Sequence, residues 1–170
     1  RNGSSLIAFR VPAGEIAGFM MTAAHGDSPA FKIKENAELP DGNYLRLSVE
    51  KYGGMLCAPW LDRPLSVAGR VLVSEGDKLS VKLVDLKDPC AIIPNVAIHM
   101  NRNANDGMSY NAAVDMLPVW MSSEKGSFRA AVAKAAGVAE DAIVTGDLFL
   151  YDPQKGVTLG EYISAPRLDD

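Results

Sequence analysis

Apolar and polar residues alternate with a period of two through most of the first two-thirds of the chain, and clusters of Gly, Pro, Asp and Asn separate the alternating runs. That pattern predicts β-strands joined by turns. Residues 6–11 read as one strand. Residues 18–24 read as a second, whose nearly unbroken apolar content suits burial on both faces. Residues 31–34 alternate, Pro40-Asp41-Gly42-Asn43 makes a turn, and the strand at 44–51 sets Leu45, Leu47 and Val49 on one face against Arg46, Ser48 and Glu50 on the other. Residues 67–73 and 79–86, joined by Ser74-Glu75-Gly76-Asp77-Lys78, form the clearest hairpin. A further strand is expected over 91–99, broken at Pro94, which has no N–H to give a ladder. Residues 147–151 and 160–165 return to strand across a turn at 152–156.

One segment carries complete helix punctuation. Ser127 is a good N-cap, residues 128–136 are rich in alanine, and Gly137 stands where a left-handed C-terminal residue belongs. A shorter helical piece is expected over 110–116, stopped before Pro118. The fold class that follows is mixed α/β dominated by β.

Among 170 residues 48% are hydrophobic and 22% charged, and the mean hydropathy is +0.02. These values suit a globular chain able to bury a core. With 17 basic and 21 acidic residues the net charge is −4, which argues against a disordered segment and against a nucleic-acid partner. The apolar runs are all interrupted before they reach 18 residues, so no membrane partner is expected, and no signal peptide is visible. Cys57 and Cys90 lack CxxC spacing, which disfavours a thiolate metal site and favours a reducing compartment, the cytoplasm by default. The chain opens at Arg1 and closes on Asp169-Asp170 directly after a strand-like stretch, and both ends read as those of an excised piece.

Chemistry has few carriers. His25 follows the apolar segment 18–24, and Asp27 could accept one imidazole N–H and so leave the other nitrogen for a metal. His99 ends the segment 92–98, with no neighbour that completes a ligand set, and Asp169-Asp170 could supply a carboxylate that bridges two cations. Taken singly, each reads more readily as structural than as catalytic. Trp60, Asp62 and Arg63 read as a loop-pinning cluster after the Gly53-Gly54 turn. Phosphate-binding loops and nucleophile elbows are not recognisable, and two histidines are too few for a self-contained histidine metal site.

Taken in order, SSLIAF, AAHGDSPAFKIK, YLRLSVEKYGG, WLDRPLSVAGRV, IPNVAIHMNR, DLFLYD and ISAPRLDD resemble the aspartyl aminopeptidase family of dinuclear zinc metallopeptidases. The resemblance implies an inserted β-rich dimerisation domain flanked by strands of an interrupted α/β zinc-peptidase domain. Residues 1–29 would be the N-terminal piece of the proteolytic domain, 30–160 the insertion, and 161–170 the re-entry. It also implies that His25 ligates zinc, that Asp27 orients it, that Asp169 bridges two zinc ions, and that His99 reaches a neighbouring subunit's active site. The implied parent is a zinc-dependent aminopeptidase acting on peptide N-termini, acidic ones among them, and assembled as a homo-oligomer. The general base and the remaining metal ligands are expected beyond Asp170, so this chain alone is expected to bind zinc weakly and to be inactive. A self-association or binding module without catalysis is the alternative.

Overall fold

The computed structural model describes residues 3–122 and 126–164. Nine strands and one α-helix are formed among them: β1 (Ala30–Asp41), β2 (Tyr44–Tyr52), β3 (Ser66–Glu75), β4 (Lys78–Asp85), β5 (Ala91–Ile92), β6 (Val119–Ser122), α1 (Phe128–Ala136), β7 (Ile143–Tyr151), β8 (Val157–Leu159) and β9 (Tyr162–Ser164). The first seven strands make one sheet in the order β4-β3-β7-β1-β2-β6-β5, and β8 and β9 form a separate ribbon. Every neighbouring pair in the large sheet is antiparallel. The sheet curls until its far end returns to the segment leading into β3, where Leu65 bridges Ala91 and Leu61 bridges Ile93.

Alternation decides what the curl encloses. Phe31 and Ile33 of β1, Leu45, Leu47 and Val49 of β2, Val67, Val71 and Val73 of β3, and Leu148 and Leu150 of β7 turn to the inside and are buried. α1 closes this face with Phe128, Val132 and Ala133, whose spacing puts them on one side of the helix. Two aromatic pairs fix the packing edge to face, Phe31 with Trp60 at 5.1 Å and Trp120 with Phe128 at 5.3 Å between ring centres.

The caps of α1 are those expected. Ser127 Oγ accepts from the Ala130 N–H, and Gly137 adopts φ +69 while its N–H donates to the Ala133 and Lys134 carbonyls. The predicted hairpin is likewise present, with Ala68 to Glu75 paired to Asp85 to Lys78. β1 runs further than its alternation suggests and reaches Asp41, because Gly42, at φ +57, supplies a two-residue turn with Asn43. A register shift between Ile33 and Glu38 absorbs the irregular stretch in its middle.

Three expectations fail. Residues 6–11 and 18–24 are not strands: no described residue before Ala30 is in a ladder, and Phe19 is 84% exposed. An apolar extended segment becomes a strand only where a neighbouring edge takes its N–H and C=O groups, and these segments pair with none of the described elements. The strand over 91–99 shrinks to Ala91–Ile92, since Pro94 ends the ladder and the chain turns at 98–100. The helix over 110–116 is a single turn, in which Asn111 Oδ1 accepts from Ala113 and Asp115 Oδ2 from Asn111. Such side-chain bonds satisfy the backbone locally and compete with helix.

Gly69 marks a close approach of β3 to β7. A Cβ there would fall on the Asp147 carbonyl oxygen and within 2.9 Å of Leu148 Cα on β7. Gly69→Ala is expected to cost roughly 2–4 kcal/mol, read as a lower urea midpoint, whereas Gly54→Ala, with open space around it, should leave the midpoint nearly unchanged.

Candidate metal centre and the loops around it

His25 lies in the exposed segment before β1, and its side chain is 65% exposed. Nδ1 stands 2.9 Å from the Asp27 carbonyl oxygen and 3.2 Å from Asp27 Oδ1. Both are acceptors, so the arrangement favours the proton on Nδ1 and puts the imidazole lone pair on Nε2. A metal-binding histidine is commonly held this way by a second group. By donor chemistry the pair fits zinc, which takes neutral imidazole nitrogen. One imidazole is not a site, however, and among the described residues no three His, Cys, Asp or Glu side chains are grouped to hold an ion. Asp169, the expected bridging carboxylate, lies outside the described residues.

His99 stands in the exposed turn after β5 rather than at the end of a strand. The base of that turn is tied to the loop before β3. Asp62 donates its N–H to the Ile93 carbonyl at 2.9 Å, and its Oδ1 accepts from the Asn95 N–H at 2.9 Å. Asn95 Oδ1 in turn accepts from the Val96 N–H at 2.8 Å. Asp62 adopts φ +57 to make these bonds, a conformation that Asp tolerates better than most residues. Its neighbour Arg63 donates from Nη1 to Asp152 Oδ2 at 2.6 Å, and the Asp152 side chain is only 3% exposed. Trp60 is in the core. The cluster thus pins two loops, as its residue types suggested, but the partner Asp152 is 89 positions away and carries no local signal.

A groove of about 440 Å³ runs between α1 and the irregular part of β1, floored by Ile33, Val132 and Leu148 and rimmed by Glu38, Arg129 and Glu140. Two cations line it, Lys34 and Arg129, and the second is committed. Arg129 donates from Nε and Nη2 to the Glu140 carbonyl at 3.2 and 3.0 Å, and from Nη2 to that of Ile143 at 2.7 Å. The Arg129 N–H meets Glu38 Oε1 at 3.2 Å, so a carboxylate already sits at the start of α1. His25 and His99 do not line this groove.

Comparison with known proteins decides the family. Residues 1–170 match the model for the Aminopeptidase I zinc metalloprotease (M18) family along their whole length. The chain belongs to the M18 family. A probable M18 family aminopeptidase 2 of Clostridium acetobutylicum is 43% identical over 183 residues, covering 100% of this chain and 42% of the relative. That of Pseudomonas aeruginosa is 40% identical over 182 residues with the same coverage. This M18 chain therefore spans about 42% of the length of the curated relatives it matches. Among solved structures, the Ape4 and Nbr1 complex superposes with a TM-score of 0.74 at 30% identity over 81% of this chain and 30% of that one. The S. cerevisiae mApe1 dodecamer gives 0.61 at 27% identity over 79% and 31%. The strand-dominated architecture of this chain matches the superposed part of these neighbours.

Two outcomes follow from the ion pairs. Arg63→Met leaves Asp152 buried without its partner and should cost about 3 kcal/mol; adding Asp152→Asn should recover part of that, measured by chemical denaturation of the two single variants and the double. On the open face of the sheet, Lys32 Nζ at 2.9 Å and Arg70 Nη2 at 3.3 Å flank Asp147. The Lys32 ammonium holds its carboxyl below the ordinary aspartate value, with the Arg70 guanidinium adding to the effect. A depressed carboxyl pKa stabilises the fold above the unfolded value of about 3.9, and that contribution is lost as pH falls through the folded value. Asp147→Asn should accordingly lose less stability than the parent between about pH 5 and pH 3, read as the difference in urea midpoints.

Proposed function

We propose that the full-length protein is a zinc-dependent aminopeptidase that removes single residues from peptide N-termini, acidic residues among its substrates. The family match over residues 1–170 is the observation that carries this reading, and the relatives named as aminopeptidases support it. Residues 1–29 and 161–170 belong in this reading to the proteolytic domain, and 30–160 to an inserted dimerisation domain. β1 starting at Ala30 is consistent with the first boundary, and the exposed apolar segment before it is consistent with a surface that the rest of the protein covers.

His25 would hold one zinc ion and Asp169 would lie between two. When bound, such a pair polarises the scissile carbonyl and lowers the pKa of water. Asp27 keeps the proton on His25 Nδ1 and so keeps Nε2 in the state that a metal needs. His99, held out on the turn that Asp62 anchors, would reach a neighbouring subunit's active site and donate to the developing oxyanion. Catalysis would then require homo-oligomerisation, for which the dodecameric state of the similar mApe1 gives support. The chain alone, with one imidazole and one bridging carboxylate, would bind zinc weakly and hydrolyse nothing. Cys57 and Cys90 are unbridged, in keeping with a reducing compartment such as the cytoplasm, and burial pushes the Cys90 thiol up to about 11, which leaves it unreactive.

Three measurements on the full-length protein test the reading. His25→Ala should lose bound zinc and peptide hydrolysis together. His99→Ala should keep its zinc, by metal analysis, while kcat falls roughly 100-fold; a loss of zinc in that variant would put His99 among the metal ligands instead. No release of N-terminal residues from any peptide by the zinc-loaded parent would favour a self-association or binding module without catalysis.

A further inference from the structure

β4 is an edge strand of the large sheet, and all its apolar residues but Val84 lie on the wrong side for the core. Leu79, Val81 and Leu83 share the face opposite Val84 and are 62%, 57% and 81% exposed. Exposed apolar alternation on a long edge strand is what folded proteins ordinarily suppress, because the unpaired N–H and C=O groups invite another strand. The usual blocking residue is a lysine. Here Lys82 points to the other face and its ammonium is tied within the hairpin to Glu75 Oε1 at 3.1 Å, which leaves the outward stripe without a charge between Leu79 and Leu83.

The hydrogen-bond phase of β4 singles out the same residues. Leu86 donates its N–H to the Val67 carbonyl, and the β3–β4 register pairs Gly69 with Val84 and Val71 with Lys82. By the two-residue repeat of an antiparallel ladder, Ser80, Lys82 and Val84 face β3, whereas Leu79, Val81 and Leu83 turn their N–H and C=O groups to the open edge.

We propose that β4 pairs antiparallel with β4 of a second copy about a two-fold axis centred on Val81, joining the two large sheets into one. Self-pairing in this register sets Val81 opposite Val81 and Leu79 opposite Leu83, so that three residue pairs exchange backbone bonds and the apolar stripe continues across the axis. Ser80 then faces Lys82 and Lys78 faces Val84. Centring on Ser80 would oppose Lys78 to Lys82, centring on Lys82 would oppose two copies of Lys82, and centring on Leu79 or Leu83 would set Val81 against Asp77 or Asp85, so charge and apolar matching together select the register on Val81. A two-fold axis makes the contact self-complementary and closed. The pairing rests on the proposed self-association of residues 30–160 and names the strand that makes it.

The test is site-directed cross-linking of the full-length protein under oxidised glutathione. Val81→Cys should give a disulfide-linked dimer on a non-reducing gel, since the two residues 81 face each other at about 5.5 Å between Cα atoms. Leu79→Cys alone should not, because its two copies lie about 14 Å apart along the strands, but chains carrying Leu79→Cys co-expressed with chains carrying Leu83→Cys should link. Val81→Lys, which opposes two ammonium groups at the axis, should raise the dimer dissociation constant at least tenfold by light scattering while the circular dichroism stays unchanged. A dimer that survives Val81→Lys, together with a Val81→Cys that does not link, would overturn the β4 contact and leave self-association through another face standing. A parent that is monomeric would overturn both, and a Val81→Cys thiol shielded from maleimide in that monomer would place another segment of the same chain over β4.

Discussion

The fold depends on β7 entering between β3 and β1. The β3–β4 and β1–β2 hairpins do not pair with each other, and each is local enough to form early, yet neither buries its apolar face alone. β7 joins them through an eight-residue ladder to β3, from Ser66 opposite Tyr151 to Val73 opposite Ile143. Leu148 and Leu150 then complete the inner face beside Val67 and Phe31. The ladder can close only because Gly69 has no side chain where β3 meets the Asp147 carbonyl. A core that waits for a strand some 70 residues downstream has high contact order, so folding is expected to be limited by this docking and not by the hairpins.

Local chemistry was readable from the residues wherever the determinant is local. Alternation placed Leu45, Leu47 and Val49 inside, Gly76 marked the β3–β4 turn, and Ser127 with Gly137 bounded α1 at both ends. The failures share a different cause. Residues 18–24 have a buried strand's composition but are paired with none of the described elements, and 91–99 has strand-forming residues around a proline that stops the ladder after Ile92. The inner and outer faces of β4 could not be told apart by hydrophobicity, because the stripe Leu79, Val81 and Leu83 is the apolar one and yet faces out. The same limit applies at the candidate centre. His25 with Asp27 is a two-residue spacing and was legible, whereas Arg63 with Asp152 is a contact made by the closed fold.

The polar contacts divide by exposure, and so does what each can do. The His25–Asp27 pair is more than half exposed on both sides, where an ion pair adds little to stability; its physical effect is to choose a tautomer and restrain a ring. Arg63–Asp152 is the reverse case. With the carboxylate buried and the guanidinium at 2.6 Å, removing one partner strands a charge, so this contact governs whether the loop before β3 stays docked on the end of β7.

That docking bears on His99 through Asp62. A non-glycine residue at φ +57 is conformationally costly, by about 1 kcal/mol, and two bonds, one given to the Ile93 carbonyl and one accepted from the Asn95 N–H, offset it. The loop before β3 is therefore held from both sides, by Arg63 toward β7 and by Asp62 toward the turn that carries His99. Because Trp60 anchors the same loop in the core against Phe31, movement of the turn relative to the sheet must either break the Asp62 bonds or expose an indole. His99 thus projects from a base tied by hydrogen bonds to a loop that is anchored in the core, although its own backbone lies in no strand or helix, and such anchoring is what restrains an exposed loop residue.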